Sequence, residues 1–240
     1  MTPLNLVPDG RGLDVLCLGA HSDDIEIGLG GTILSLLEAG AIRSIRWCVL
    51  SAIGQRELEA ERSARDFLGE ACETKILLGK FEDTYFPDQS RAIKEWMLNL
   101  RQGYDPDLVF THSRTDAHQD HREVSALTWN VFRNNMIMEY EIPKWDGDLG
   151  QPNFYFPLSA DAVERKIEYL DRNFGSQRSK DWFDAETFRG LARLRGMECR
   201  APERYAEAFT IRKVVLCAGV GAAHEDAKSG EHEHRLPEPA

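Results

Sequence analysis

Two short polar stretches of this chain carry residue types suited to catalysis: AHSDD at 20–24 and RTDAHQDH at 114–121. The first sets an imidazole, His21, beside two adjacent carboxylates, Asp23 and Asp24. The second gathers His118, Asp120 and His121. Imidazole and carboxylate are the usual nitrogen and oxygen ligands of zinc, and a catalytic zinc takes three protein ligands and keeps one place for water. Such water has its pKa lowered to about 7, so hydroxide is available at neutral pH. A spare carboxylate can then take the water's proton, and a spare histidine can donate to a developing oxyanion and a leaving group. A purely structural reading also exists. Asp23 or Asp24 could cap a helix, and His118 and His121 could be surface histidines ahead of another. A cap needs no imidazole, however, and the two clusters together weigh more than either alone.

The elements that must position these groups can be read from the apolar pattern. LDVLCLGA, 13–20, reads as a buried strand closed by small residues. Helical spacing follows over 24–39 and stops at Gly40. Further strands are expected at 45–52, 74–79, 107–113 and 135–143, with helices at 56–69, 91–102 and 121–134. In the helix at 56–69 the apolar side is expected to hold Leu58, Ala64, Phe67 and Leu68. Alternation at this pitch predicts an α/β fold, a three-layer Rossmann-like sandwich with a mainly parallel sheet. In such a sheet ligands sit beyond the carboxyl ends of the strands, which is where both clusters fall. If the two strands are neighbours, the clusters face one another across a cleft. After a loop rich in Gly, Pro and Asp at 145–153, helices are expected at 159–173 and 184–195, and a late strand at 208–216.

The chain has 240 residues and a formal net charge of −11. That balance disfavours nucleic acid and anionic membranes as partners, since both reward a basic face. No apolar run nears the roughly 20 residues of a membrane helix, and nothing at the start resembles a signal peptide. The five cysteines are scattered and form no CxxC pair. A cytoplasmic location with reduced thiols is the expectation. GLGG, 28–31, fails the dinucleotide register because Ile33 stands where the last glycine belongs; close packing of helix on sheet accounts for it better. We read 1–220 as one domain and 221–240, with His224, His232 and His234, as a polar tail too poor in large apolar groups to order.

At the two polar clusters the sequence resembles the LmbE-like, or PIG-L, family of zinc-dependent de-N-acetylases. The AHPDD motif of that family stands here as Ala20-His21-Ser22-Asp23-Asp24, and its HxDH motif as His118-Gln119-Asp120-His121. The likeness extends to Gly30-Gly31-Thr32, to the helix from Arg56 through Leu68-Gly69, and more weakly to Tyr205-Ala206-Glu207-Ala208-Phe209. Ser22 departs from the usual proline, which allows the loop more movement. The resemblance implies His21, Asp24 and His121 as ligands of Zn2+, with Fe2+ or Co2+ acceptable to the same donors. It implies Asp23 as general base and His118 as the group that stabilises the tetrahedral intermediate and protonates the leaving amine. Asp120 would orient one of the imidazoles, and Arg56 would meet the sugar or its phosphate.

The function expected is removal of an acetyl group from an N-acetylated amino sugar or glycoconjugate, a small-molecule substrate, by a chain whose family implies self-association. Two alternatives stand beside it: a metal-dependent phosphoesterase, which would want two ions, and a non-catalytic sugar-binding protein on the same fold. The region after Pro143, including Trp145, Asp146, Asp148 and Asn153, has no match to a common family role and is expected to shape the substrate site.

Overall fold

The structure is a computed structural model that describes residues 3–7 and 10–215. Its seven strands are β1 (Leu13–Gly19), β2 (Ile42–Val49), β3 (Glu73–Leu78), β4 (Leu108–His112), β5 (Met136–Tyr140), β6 (Phe154–Leu158) and β7 (Tyr205–Ile211). They form a single sheet in the order β3-β2-β1-β4-β5-β7-β6. The first five are parallel; β7 runs antiparallel to both β5 and β6. The six α-helices are α1 (Asp24–Glu38), α2 (Gln55–Leu68), α3 (Ser90–Arg101), α4 (Gln119–Val131), α5 (Ala160–Asn173) and α6 (Ala185–Cys199).

Side-chain alternation along the central strands builds a core on each face of the sheet. In β1, Val15 and Cys17 join one apolar cluster with Ile25 and Leu29 of α1 and Phe67 of α2. Leu16 and Leu18 join the other, with Met97 of α3 and Val124 of α4. Strands buried on both faces read as unbroken apolar runs, which is why 13–20 and 107–113 were legible. The three-layer α/β expectation is met.

Chain order reverses at β1: β2 lies on one side of it and β4 on the other, with Val15, Leu16 and Cys17 beside Leu108, Val109 and Phe110. That reversal opens the crevice in which α/β sheets bind ligands, and it sets the loop after β1 against the loop after β4.

Glycines let α1 lie close to the sheet. A Cβ on Gly28 would stand 2.2 Å from the Tyr140 ring, and Tyr140 is fully buried with its hydroxyl donating to the Leu18 carbonyl at 2.7 Å. Gly28→Ala is therefore expected to destabilise by about 1–3 kcal/mol through overpacking, read as a lower denaturation midpoint at unchanged slope.

Three expectations need correction. The late strand is 205–211, not 208–216, and β6 had no counterpart in the sequence reading. Glu207 disguised the first. It is buried within β7, where its carboxylate accepts the N–H groups of Gly31 and Thr32 and pairs with Lys166 at 2.7 Å. In α2, Leu58 is 70% exposed, whereas Glu59 is buried and accepts the N–H and hydroxyl of Ser176. The tail at 221–240, with its three histidines, lies outside the described residues. Among the described residues no helix is long and apolar enough to cross a membrane.

Candidate active site

Both polar clusters lie at the carboxyl end of the sheet and meet. The chain leaves β1 at Gly19, and His21 to Asp24 form the turn into α1. Asp23 occupies the N-cap position of α1 but makes no side-chain cap hydrogen bond, so capping does not account for it. The Asp24 carboxylate folds back to accept the His21 N–H at 2.7 Å. Beyond β4, His118 is the N-cap of α4, its Nδ1 accepting the Asp120 N–H at 3.2 Å. His121, one turn into the helix, points back at the first cluster.

His21 Nδ1 lies 3.2 Å from His121 Nε2. Asp24 Oδ2 is 3.3 Å from His21 Nδ1, and Asp24 Oδ1 is 3.5 Å from His121 Nε2. All three side chains are buried. Donors about 2.0–2.1 Å from a tetrahedral zinc stand about 3.3–3.4 Å from one another, close to these separations.

Proton positions lead to the same place. His121 Nδ1 meets Asp116 Oδ2 at 2.9 Å, and His21 Nε2 meets Asp83 Oδ1 at 2.9 Å and Asp120 Oδ2 at 3.3 Å. Each ring thus has carboxylates to receive the N–H on its outer nitrogen and turns its other nitrogen inward. Two imidazole lone pairs and Asp24 Oδ1 converge, while Asp24 Oδ2 accepts the His21 N–H. A cation satisfies that arrangement, and outer carboxylates are the usual means of orienting histidine ligands. Without one, a shared proton must serve: the neighbouring Asp24 carboxylate and the hydrogen bonds to surrounding carboxylates outweigh burial and raise the pKa of both rings.

Two other groupings of potential ligands overlap this one: His21, Asp83, His118 and Asp120, and His112, Asp116 and His121. Their atoms are already engaged. Asp120 accepts the N–H groups of Thr84 and Phe86 at 2.7 and 3.2 Å. His112 Nε2 accepts the Ala20 N–H at 2.9 Å, and Asp116 pairs with Lys144 at 3.0 Å. In the set of His21, Asp24 and His121, Asp24 Oδ2 is also engaged, by the His21 N–H and by His112 Nε2 at 3.2 Å, but Asp24 Oδ1, His21 Nδ1 and His121 Nε2 remain to converge.

Around that set stand the remaining groups. Asp23 is 4% exposed, and its Oδ1 accepts from Arg56 Nη2 at 3.1 Å. Burial raises its pKa, against the pull of Arg56. Arg56 also reaches Asp83 at 3.4 Å, so its charge is turned to carboxylates of the site. The His118 ring packs against His121 at 4.7 Å and edge-on to His21 at 4.9 Å. Burial, with His121 and His21 nearby, lowers its pKa; a neutral ring with Nδ1 occupied carries its proton on Nε2.

Four residues of this site went unassigned in the sequence. His112 ends β4, fully buried and stacked on His121 at 3.9 Å; burial and His121 hold its pKa down to about 4. Its place at the ligand-bearing end of a strand was the available signal. Asp116 belongs to the motif stretch already quoted. Asp83 and Lys144 had no signal, since each reaches the site only through the packing of a distant loop. Asp116→Asn is expected to weaken metal affinity about 10- to 100-fold by loosening His121, measured by calorimetric zinc titration of the folded variant.

Residues 16–132 match the family model described as PIG-L, GlcNAc-PI de-N-acetylase. Among solved structures, the chain is similar to N,N'-diacetylchitobiose deacetylase from Pyrococcus horikoshii: 24% identity over 86% of each chain, TM-score 0.64. It is also similar to a deacetylase of the teicoplanin biosynthesis pathway, with 12% identity, 84% of this chain and 98% of that one covered, and a TM-score of 0.66. The 4-carboxy-2-hydroxymuconate hydratase of Pseudomonas putida matches with 15% identity, 87% of this chain and 99% of that one covered, and a TM-score of 0.63. At these identities the likeness is one of fold.

Proposed function

We propose that the chain, whose residues 16–132 match the PIG-L (LmbE-like) family of de-N-acetylases, is a metal-dependent hydrolase that removes the acetyl group from an N-acetylated amino sugar or glycoconjugate. The observation that carries this reading is the convergence of His21, Asp24 and His121, with Asp23 and His118 beside them. The fold alone does not choose the reaction, since a hydratase shares it. The family match, with Asp23 and His118 beside the converging ligands, supports hydrolysis of an amide.

His21, Asp24 and His121 would hold one divalent cation; zinc suits two imidazoles and a carboxylate, and iron or cobalt can use the same donors. When bound, the ion supplies a Lewis acid for the amide carbonyl and makes a water acidic enough to attack at neutral pH. Asp23 accepts that water's proton. Arg56 holds the Asp23 carboxylate in place and keeps it ionised against the cost of its burial. His118 donates a hydrogen bond from Nε2 to the oxyanion of the tetrahedral carbon and to the leaving group, and the proton that Asp23 took from the water passes to the departing nitrogen, which returns Asp23 to its ionised form. Acetate and a free amine result. Asp120 and Asp83 fix the ring of His21, and Asp116 fixes that of His121.

The phosphoesterase alternative wants two ions. The neighbouring donor groups share His21 and His121 with the first set, which favours one ion per chain. The test is to load the protein with zinc, count the bound metal, and offer N-acetylglucosamine and its conjugates. One zinc per chain with acetate release is the expected result. Metal bound with no acetate from any member of a broad panel defeats the proposal.

A further inference from the structure

Two loops beyond the catalytic groups are tied to each other at the rim of the site. The loop after β5 is latched to the 113–118 loop: Lys144 pairs with Asp116 at 3.0 Å, and Asp148 accepts the Ala117 N–H at 2.6 Å. Asp116 in turn holds His121. The segment between α5 and α6 is anchored on the opposite side. Ser176 hydrogen-bonds Glu59 of α2, one turn from Arg56, which reaches Asp23. Lys180 of that segment is near enough to Asp23 to favour its ionised form.

The tie between the loops is Trp145. Its Nε1 donates to Asp181 at 2.5 Å, and its ring meets that of Trp182 in a T-shaped contact at 6.1 Å. Trp145 is nevertheless 67% exposed, so a broad part of a tethered indole faces outward beside the catalytic loop. Trp182 Nε1 is buried and has no hydrogen-bond partner among the described residues, and Lys180 lies over the Trp182 ring at 5.4 Å. A flat, exposed indole and an ammonium group therefore stand together on loops tied to the groups of the site. A pyranose suits such a surface. Its axial C–H groups make an apolar face that packs on an indole, while its hydroxyls accept from an ammonium group such as that of Lys180.

We propose that Trp145, backed by Trp182, is the stacking platform for a second sugar ring, the one glycosidically joined to the ring whose amide is cleaved. This rests on the de-N-acetylase reading and narrows its substrate class to disaccharides and longer glycosides. A platform of this kind discriminates by length. It strengthens binding of a two-ring ligand and leaves a one-ring ligand untouched.

The experiment compares wild type with Trp145→Ala, Trp145→Phe and Trp145→Leu, all zinc-loaded. N-acetylglucosamine and N,N'-diacetylchitobiose serve as substrates. Calorimetry with the deacetylated pair, glucosamine and chitobiose, reads binding without turnover. Wild type should bind the disaccharide more tightly than the monosaccharide. Trp145→Ala should raise KM and Kd for the disaccharide about five- to tenfold, the value of one aromatic stacking contact. Its kcat and its monosaccharide constants should be unchanged. Trp145→Phe should keep most of the preference. Trp145→Leu, which retains bulk without a flat face, should lose it and covers the case in which the alanine variant does not fold.

Equal change for both sugars would make Trp145 a loop tether only and overturn the platform, as would no change for either. So would a wild type that binds both sugars alike. A Trp145-dependent preference for chitobiose with no acetate released by wild type would keep the platform and defeat the hydrolase reading. Acetate release indifferent to Trp145 would do the reverse.

Discussion

Asp23→Asn should lower kcat about 10²- to 10⁴-fold, the range for loss of a positioned general base, with zinc still bound at one per chain. The substitution is nearly isosteric. The amide oxygen can still accept from Arg56, as Asp23 Oδ1 does at 3.1 Å, so the N-terminus of α2 stays in register. Asp23 makes no helix-cap hydrogen bond, and the converging atoms belong to His21, Asp24 and His121. What is lost is the basic lone pair of a buried carboxylate. KM should change little, because Asp23 acts on the water and not on the bound sugar. Steady-state acetate release, with metal analysis of the same sample, measures both halves. Unchanged turnover would remove Asp23 from the mechanism. Loss of metal along with activity would move it into the ligand set.

The second large effect concerns the metal itself. Zinc at a hundredfold excess over its Kd stabilises a protein that binds it only when folded by about 2.7 kcal/mol, or about 5–10 °C in Tm for a chain of this size. His121→Ala should abolish that rise and with it all measurable acetate release. His121 supplies the nitrogen that faces both His21 Nδ1 and Asp24 Oδ1, so two ligands cannot compensate for the third. The metal-free variant should still fold. The cores of both sheet faces lie elsewhere, and the lost ring contacts are those to His112, His118 and His21. Differential scanning fluorimetry with and without zinc separates the two effects. A zinc-dependent rise that survives in His121→Ala would mean the ion sits in another of the overlapping donor groups.

Arg56 shows how far a residue's role can shift once its neighbours are known. The family resemblance implied a sugar or phosphate contact for it. In the structure its guanidinium spans Asp23 and Asp83. We therefore assign it to holding the proposed base. The aromatic platform proposed for a second sugar draws instead on Trp145 and Trp182, on loops for which periodicity offers no guide.

Sequence alone determined what chain connectivity enforces. His21, Asp23 and Asp24 are neighbours because the chain turns once between β1 and α1, and His118 and His121 share a face because a helix brings every third or fourth residue into line. Apolar runs doubly buried in a parallel sheet announced β1 and β4, and with them the α/β class. Only the tertiary structure decided that β1 and β4 lie side by side, which brings His21 within 3.2 Å of His121 across a hundred residues of chain. It alone gave His121 to Asp116, Asp23 to Arg56 and Trp145 to Asp181. A partner reached through packing leaves no periodic trace, because its position depends on every element between.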